Sequence, residues 1–312
     1  MTRTARSSQP VSRRFFLKNS VAAAGTPLCM ASADAEMAPG QSPRIDCHLH
    51  CFAGDQDDRF PYHPLAPYRP PEAATPEHLL ACMDGAEVAK AIVVHPEPYQ
   101  DDHRYLEHCL GLGGDRLRGT ALFFAGTPRV AERLTELASR VKLVAARIHA
   151  YAPERLPQFE SMAMRELWRT ASELGLAVQL HLEPRYAPRL EPLIREFHTT
   201  QVIIDHLGRP FQGTPEEHSR VVRWADLPNT WIKLSSIPEQ AQYPHRDIRP
   251  VIGQLVQAFG AERMLYGGGF NHRTTATSYR AAFDRAASLL DDLSTSQQAM
   301  ILGGNANRLF FT

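Results

Sequence analysis

From Arg44 to the C-terminus, short strand-like runs alternate with amphipathic helix-like runs, and this alternation constrains the fold of the 312-residue chain more than any other feature. Strands are expected over 44–50, 90–95, 118–124, 142–149, 176–182, 201–206, 230–235 and 263–267. Helices are expected near 76–88, 103–111, 128–140, 159–174, 187–198, 215–226, 248–259 and 277–291, with a last one near 294–308. Such alternation implies parallel strands joined by right-handed crossovers. Eight repeats suit one α/β domain closed as a (β/α)8 TIM barrel over residues 44–312 better than an open sheet. No Gly-x-Gly-x-x-Gly follows the first strand, which argues against a dinucleotide-binding fold. Residues 52–75, rich in proline and aromatics, form a long first loop that serves as a lid, a pocket wall or a packed decoration.

The chain carries 34 basic and 34 acidic side chains, so it lacks the basic excess that nucleic-acid binding needs. A hydrophobic fraction of 43% fits a folded chain, and no apolar run reaches the ~18 residues of a membrane span. The neutrality conceals an asymmetry. Residues 1–35 hold Arg3, Arg6, Arg13, Arg14 and Lys18 against Asp34 alone, and without them 29 basic and 33 acidic residues leave a net charge of −4. Ser12-Arg13-Arg14-Phe15-Phe16-Leu17-Lys18 resembles the bacterial twin-arginine export signal, followed by a weakly apolar stretch from Val21 and a small-residue cleavage site at Ala33 or Ala35. The expectation is a signal over 1–35, a linker over 36–43, passage through the twin-arginine export machinery, and a periplasmic mature protein. Cys29 would leave with the signal. Cys47, Cys51, Cys82 and Cys109 are too few for a disulfide scaffold, although the periplasm would permit a bridge, and Cys47 and Cys51 read as core residues.

Barrel enzymes carry their reactive groups at the C-terminal ends of the strands. Here those ends are rich in histidine: His48 and His50 on the first strand, then His95, His149, His181 and His206 on the second, fourth, fifth and sixth. A packed apolar rim would not select imidazole, which is both the commonest metal ligand and the side chain suited to proton transfer near neutral pH. By two-residue alternation, Asp46, His48 and His50 share a face and Cys47 turns to the other. Asp46 then either orients His48 or bonds the strand end.

Ile45-Asp46-Cys47-His48-Leu49-His50, Gln179-Leu180-His181, Ile203-Ile204-Asp205-His206-Leu207-Gly208-Arg209-Pro210, Trp231-Ile232-Lys233-Leu234-Ser235 and the closing Ile301 to Phe310 segment together resemble the amidohydrolase-related group of the amidohydrolase superfamily. That branch contains fuconolactonase-like and pyrone-dicarboxylate-lactonase-like hydrolases and, more distantly, aminocarboxymuconate semialdehyde decarboxylase. The resemblance implies hydrolysis of a lactone-like or carboxylate-bearing small molecule. It makes His48, His50 and His181 candidate ligands of a single divalent metal, zinc before manganese, and His206 a catalytic or substrate-orienting histidine.

One departure bears on mechanism. Where such proteins carry an aspartate after the eighth strand, this chain reads Gly267-Gly268-Gly269-Phe270-Asn271-His272, with Gly269 at the aspartate's place. Strand four ends in Arg147 and His149 and offers no lysine for a two-metal centre. Three mechanisms follow: a histidine-held metal ion that activates water, metal-free activation of water by His206 or His149, or a pocket turned to binding alone or to another reaction such as a metal-dependent decarboxylation. Arg147, Lys233, His95, Arg209 and Asn271 are the expected substrate contacts, with Lys233 serving either the pocket or a structural ion pair.

Overall fold

In a computed structural model of the protein, residues 42–151, 153–238 and 247–312 are described. The expected export signal lies outside them. Eight strands form one parallel sheet in sequence order: β1 (Arg44–Leu49), β2 (Val88–Val94), β3 (Leu117–Leu122), β4 (Leu143–Ala150), β5 (Ala177–Leu182), β6 (Val202–Ile204), β7 (Thr230–Leu234) and β8 (Met264–Tyr266). Helices α1 (Pro76–Ala86), α2 (Arg104–Gly113), α3 (Val130–Arg140), α4 (Met162–Glu173), α5 (Ala187–Glu196), α6 (Pro215–Val222), α7 (Arg249–Phe259) and α8 (Ala276–Ser288) follow the strands in turn. The short α9 (Thr295–Ala299) and α10 (Asn305–Phe310) end the chain. Thr75, Ser161, Thr214 and Thr275 start four of these helices by accepting a backbone N–H two or three residues on. The architecture is the expected (β/α)8 barrel.

Two apolar layers hold it together. Outward-facing strand residues pack against the helices, with Trp168, Trp224, Tyr279 and Phe283 among the fully buried side chains. Inside, Ile45, Cys47, Ile92, Ala145, Ala177, Ile203, Trp231 and Leu265 fill the lower barrel, closed below by Ala306 and Phe310 of α10. Above this plug lies a polar layer of Thr120, Arg147, Gln179, Asp205 and Lys233, each at most 3% exposed.

The first strand departs from strict alternation. Asp46 pairs with Ala91 and Leu49 with Val93, so three steps along β1 match two along β2, and one residue is extra. Ile45 and Cys47 share the interior plug by ordinary alternation and Asp46 turns toward α8, and the extra residue lets His48 face inward as well, which corrects the expected single face for Asp46, His48 and His50. Asp46 bonds neither imidazole. Its Oδ1 accepts the N–H groups of His48 (2.9 Å) and Gly268 (2.8 Å), and its Oδ2 accepts the Tyr279 hydroxyl (2.9 Å). Burial raises its pKa to about 6 against these bonds and the Lys233 charge. One carboxyl thus links β1, the segment after β8, and α8 at the seam of the barrel.

Buried neutral histidines couple this fold to pH. His103 donates from Nε2 to the Leu122 carbonyl (2.8 Å), and burial lowers its pKa to about 4. Between pH 6.5 and 4 the unfolded chain binds a proton that folded His103 refuses, so its contribution to stability is lost as pH falls through that window. His103→Gln, which can keep the bond, should flatten the pH dependence of the unfolding free energy by up to about one proton. Urea unfolding at pH 7, 6 and 5 tests this, and an unchanged slope would refute it.

Candidate active site

The site is organised by Asp205, which follows β6 and is fully buried. Its Oδ2 accepts hydrogen bonds from Arg147 Nε (3.1 Å) and Nη2 (3.0 Å) and from Gln179 Nε2 (3.0 Å). Its Oδ1 lies 3.2 Å from His48 Nδ1 and 3.4 Å from Lys233 Nζ. Lys233 also donates to Gln179 Oε1 (2.8 Å), which accepts Thr120 Oγ1 as well (3.2 Å). Burial alone would raise the Asp205 pKa, but Lys233, His48 and Arg147 outweigh burial and hold the carboxyl well below the usual range. Two buried cations face one carboxylate in this layer. Arg147 and Lys233 are thus members of a buried ion network beneath the cleft.

His206 comes next in the chain, and its backbone is unusual. His206, Leu207 and Arg209 have φ of 56°, 57° and 56°, in the left-handed region that costs non-glycine residues ~1–3 kcal/mol each. Bonds on both sides hold this turn: the His206 N–H donates to Ser235 Oγ (3.1 Å), and the Leu207 carbonyl accepts His218 Nε2 (2.8 Å). The His206 ring is gripped at Nδ1 by the hydroxyls of Ser235 (3.0 Å) and Ser236 (2.8 Å) and lies 4.4 Å from the His48 ring. Burial, then the neighbouring imidazole of His48, hold its pKa well below 6.5, so the ring is neutral.

His48, Asp205 and His206 each offer a ligand atom within 4.8 Å of the others, and His48 Nε2 is buried without a hydrogen-bond partner. His50 and His181 fall outside this group. His50 stands 5.1 Å from His48, ring to ring, and donates from Nδ1 to the Val94 carbonyl (2.7 Å). His181 Nε2 accepts Arg209 Nη2 (2.6 Å), and its Nδ1 meets His149 Nδ1 (3.2 Å). The metal ligands drawn from the resemblance are therefore gathered differently: His48 and His206 come together on Asp205, while His181 belongs with His149 and Arg209. Asp205, Gln179 and Ser236 were not among the expected site residues. A lone acid directly before a strand-end histidine was the available signal for Asp205.

A cleft of about 770 Å³ opens above, lined by His48, His50, His206, Arg209, Asn271 and the run Gly267–Gly269. Asn271 forms the lip, its Oδ1 accepting the Arg273 N–H (2.8 Å). His95 does not line this cleft. It is fully buried, donates from Nε2 to the Gln100 carbonyl (2.9 Å) and packs with its ring tilted 4.5 Å from that of His103, because the loop after β2 folds over it. Close approach dictates Gly267, and a left-handed backbone favours glycine at 268 and 269. A Cβ on Gly267 would stand 2.6 Å from the His48 backbone N. A Cβ on Gly269, where φ is +150°, would point at Ala282 (3.1 Å) and the Tyr279 ring (3.5 Å) of α8. An aspartate at 269 in this backbone would face α8 and not the histidines.

Residues 45–312 match the sequence model of the amidohydrolase family. An uncharacterised protein of Sinorhizobium fredii is 23% identical over 146 residues, 46% of this chain and 49% of that protein, so the match spans about half the relative's length. The fold is similar to a probable 2-pyrone-4,6-dicarboxylic acid hydrolase of Acinetobacter baumannii with citric acid bound (TM-score 0.69, 22% identity, covering 86% of this chain and 99% of that one). It is also similar to an amidohydrolase of Burkholderia multivorans with bound zinc (TM-score 0.63, 18% identity, 86% and 99%). A dihydroxybenzoic acid decarboxylase of Polaromonas sp. JS666 with bound manganese and 2-nitroresorcinol shares the fold too (TM-score 0.60, 14% identity, 86% and 97%).

Two substitutions test this geometry. Asp205→Asn leaves Arg147 and Lys233 buried without a counter-charge and should cost about 3–5 kcal/mol of unfolding free energy; a loss under about 1 kcal/mol would show that the network relaxes around its centre. Gly269→Asp should cost about 1–3 kcal/mol from its backbone conformation and add no metal binding in a zinc titration. A gain in stability or in zinc affinity would show that the loop can turn the carboxylate inward.

Proposed function

Because the chain belongs to the amidohydrolase family, we propose that it is a hydrolase that opens a small lactone-like, carboxylate-bearing substrate by attack of water in the cleft above Asp205. The observation that carries this reading is the neutral His206 ring in the cleft wall, held at Nδ1 by two serine hydroxyls. With its Nδ1–H donated to a serine oxygen, Nε2 is left to accept a proton from water. Water oxygen bonds to the acyl carbon as its proton passes to His206, the ring C–O bond breaks, and the leaving oxygen takes that proton back. Arg209 at the cleft edge attracts the substrate's carboxylate, and the buried cations Arg147 and Lys233 favour the negative charge that develops in the transition state.

A second reading is favoured by the unpartnered His48 Nε2 and by the donor set around it. Two neutral imidazoles and a carboxylate suit a divalent ion, zinc before manganese, and His48, Asp205 and His206 would hold it. The ion would supply a Lewis acid and a bound water of lowered pKa. The export reading of residues 1–35 supports a periplasmic site of action.

Protein purified without added metal, assayed on a panel of small lactones before and after chelation, separates these readings. His206→Gln should lower kcat/KM by about 100-fold or more with Tm little changed. Stoichiometric zinc that disappears together with activity in His48→Ala favours the metal reading, and metal-free turnover favours His206 alone. No turnover of any lactone or ester, together with small carboxylates that raise Tm, would replace hydrolysis with binding.

A further inference from the structure

The turn after β7 repeats the backbone strain seen after β6. Ser236 has φ of 51°, in the left-handed region that non-glycine residues occupy at a cost, and such residues cluster at active sites. Its neighbour Ser235 is 1% exposed and engaged in structure, its Oγ accepting the His206 N–H (3.1 Å). Ser236 instead is exposed, lines the cleft and brings its hydroxyl to 2.8 Å from His206 Nδ1. A serine hydroxyl is a poor nucleophile until a base takes its proton, and an imidazole nitrogen at this distance is the group that can take it. The base is itself held: its ring packs 4.4 Å from that of His48, which lies 3.2 Å from Asp205, and it meets the His181 ring edge-on at 5.2 Å. Burial keeps the His206 ring neutral, so a lone pair is available. Gly268 flanks the same step of chain. A Cβ there would lie 3.8 Å from Ser236 N and 3.9 Å from Ser235 Cβ, so glycine leaves the cleft open beside Ser236.

We propose that Ser236 is a nucleophile with His206 Nδ1 as its base, and that the cleft has a second activity, the hydrolysis of open-chain aryl esters through an acyl-serine. The proton of a neutral imidazole can sit on either nitrogen, and a hydroxyl can donate or accept. With the proton on Nδ1, His206 is the form that activates water in the reading above. With the proton on Nε2, the Nδ1 lone pair faces the Ser236 hydroxyl. Ser236 Oγ then bonds to the acyl carbon as its proton passes to Nδ1, the bond to the aryl oxygen breaks, and that oxygen leaves with the proton. Water next gives a proton to Nδ1 as its oxygen bonds to the acyl carbon. The bond to Ser236 Oγ breaks, and Nδ1 returns the proton to Oγ, so the products are a carboxylic acid and a phenol. A ring so reluctant to protonate is a weak base, which restricts the route to leaving oxygens of low basicity. The inference goes beyond the lactone reading and does not rest on it.

Two reagents test this on the full-length protein after chelation: p-nitrophenyl acetate, and diisopropyl fluorophosphate, which loses fluoride as it attaches to an activated serine. Acid-quenched samples mapped by peptide mass spectrometry should carry the acyl or phosphoryl group on Ser236, at about one equivalent per chain. Ser236→Ala should lose the modification with Tm little changed, Ser236→Cys should regain acylation, and His206→Gln should slow modification by about 100-fold. A covalent product also separates a nucleophile from a serine that only orients His206, since orientation leaves nothing attached. Failure of both reagents to modify Ser236 in wild type overturns the proposal, as does a rate of modification unchanged in His206→Gln. Modified Ser236 in a protein that opens no lactone leaves this inference standing and defeats the lactone reading; lactone turnover by a protein whose Ser236 neither reagent modifies does the reverse.

Discussion

The upper half of this barrel depends on the charge of one buried carboxylate. Asp205 receives Arg147 from β4, Gln179 from β5, Lys233 from β7 and His48 from β1, so a single side chain ties four strands across the interior. Neither cation could remain in so dry a layer without it. The carboxylate, in turn, stays ionised only because the cations are there.

The seam of the barrel meets a different constraint. Asp46 turns out toward α8, and an extra residue in β1 brings His48 to the interior beside Asp205. Asp46 then gathers backbone donors from both sides of the seam, and the segment after β8 passes so close to His48 that glycine is required there. Two residues on, Gly269, where a carboxylate would be expected, is directed at α8. Chemistry that such a carboxylate would serve has to come from His206, from Asp205, or from an ion held between them.

The histidines at the rim divide into two sets with different partners. His48 and His206 lie against Asp205 and two serines, and His206 faces the cleft as a neutral ring. His149 and His181 meet through their Nδ1 atoms, and His181 Nε2 also accepts Arg209. His95 belongs to neither, being packed on His103 beneath its own loop. Similar residues at equivalent strand ends thus have different partners, because each ring nitrogen has a single lone pair or proton and its first partner decides what remains.

The order of strands and helices was legible in the sequence because every strand is a short buried run and every crossover helix an amphipathic one. Observed boundaries lie within two or three residues of those expected for the strands. The rim histidines were legible as well, since barrel topology fixes where strand ends lie. The β1 bulge was not, because alternation assumes one residue per step, and an extra residue appears only in the pairing with β2. Nor was the role of Asp205, whose partners Arg147 and His48 stand far from it along the chain. The sequence by itself determined the fold, the chemistry available at its mouth and the glycines where a carboxylate would be expected. Only the tertiary structure decided which nitrogens are occupied, which are left over and which arginine reaches the cleft, because those depend on donors and acceptors arriving from other strands.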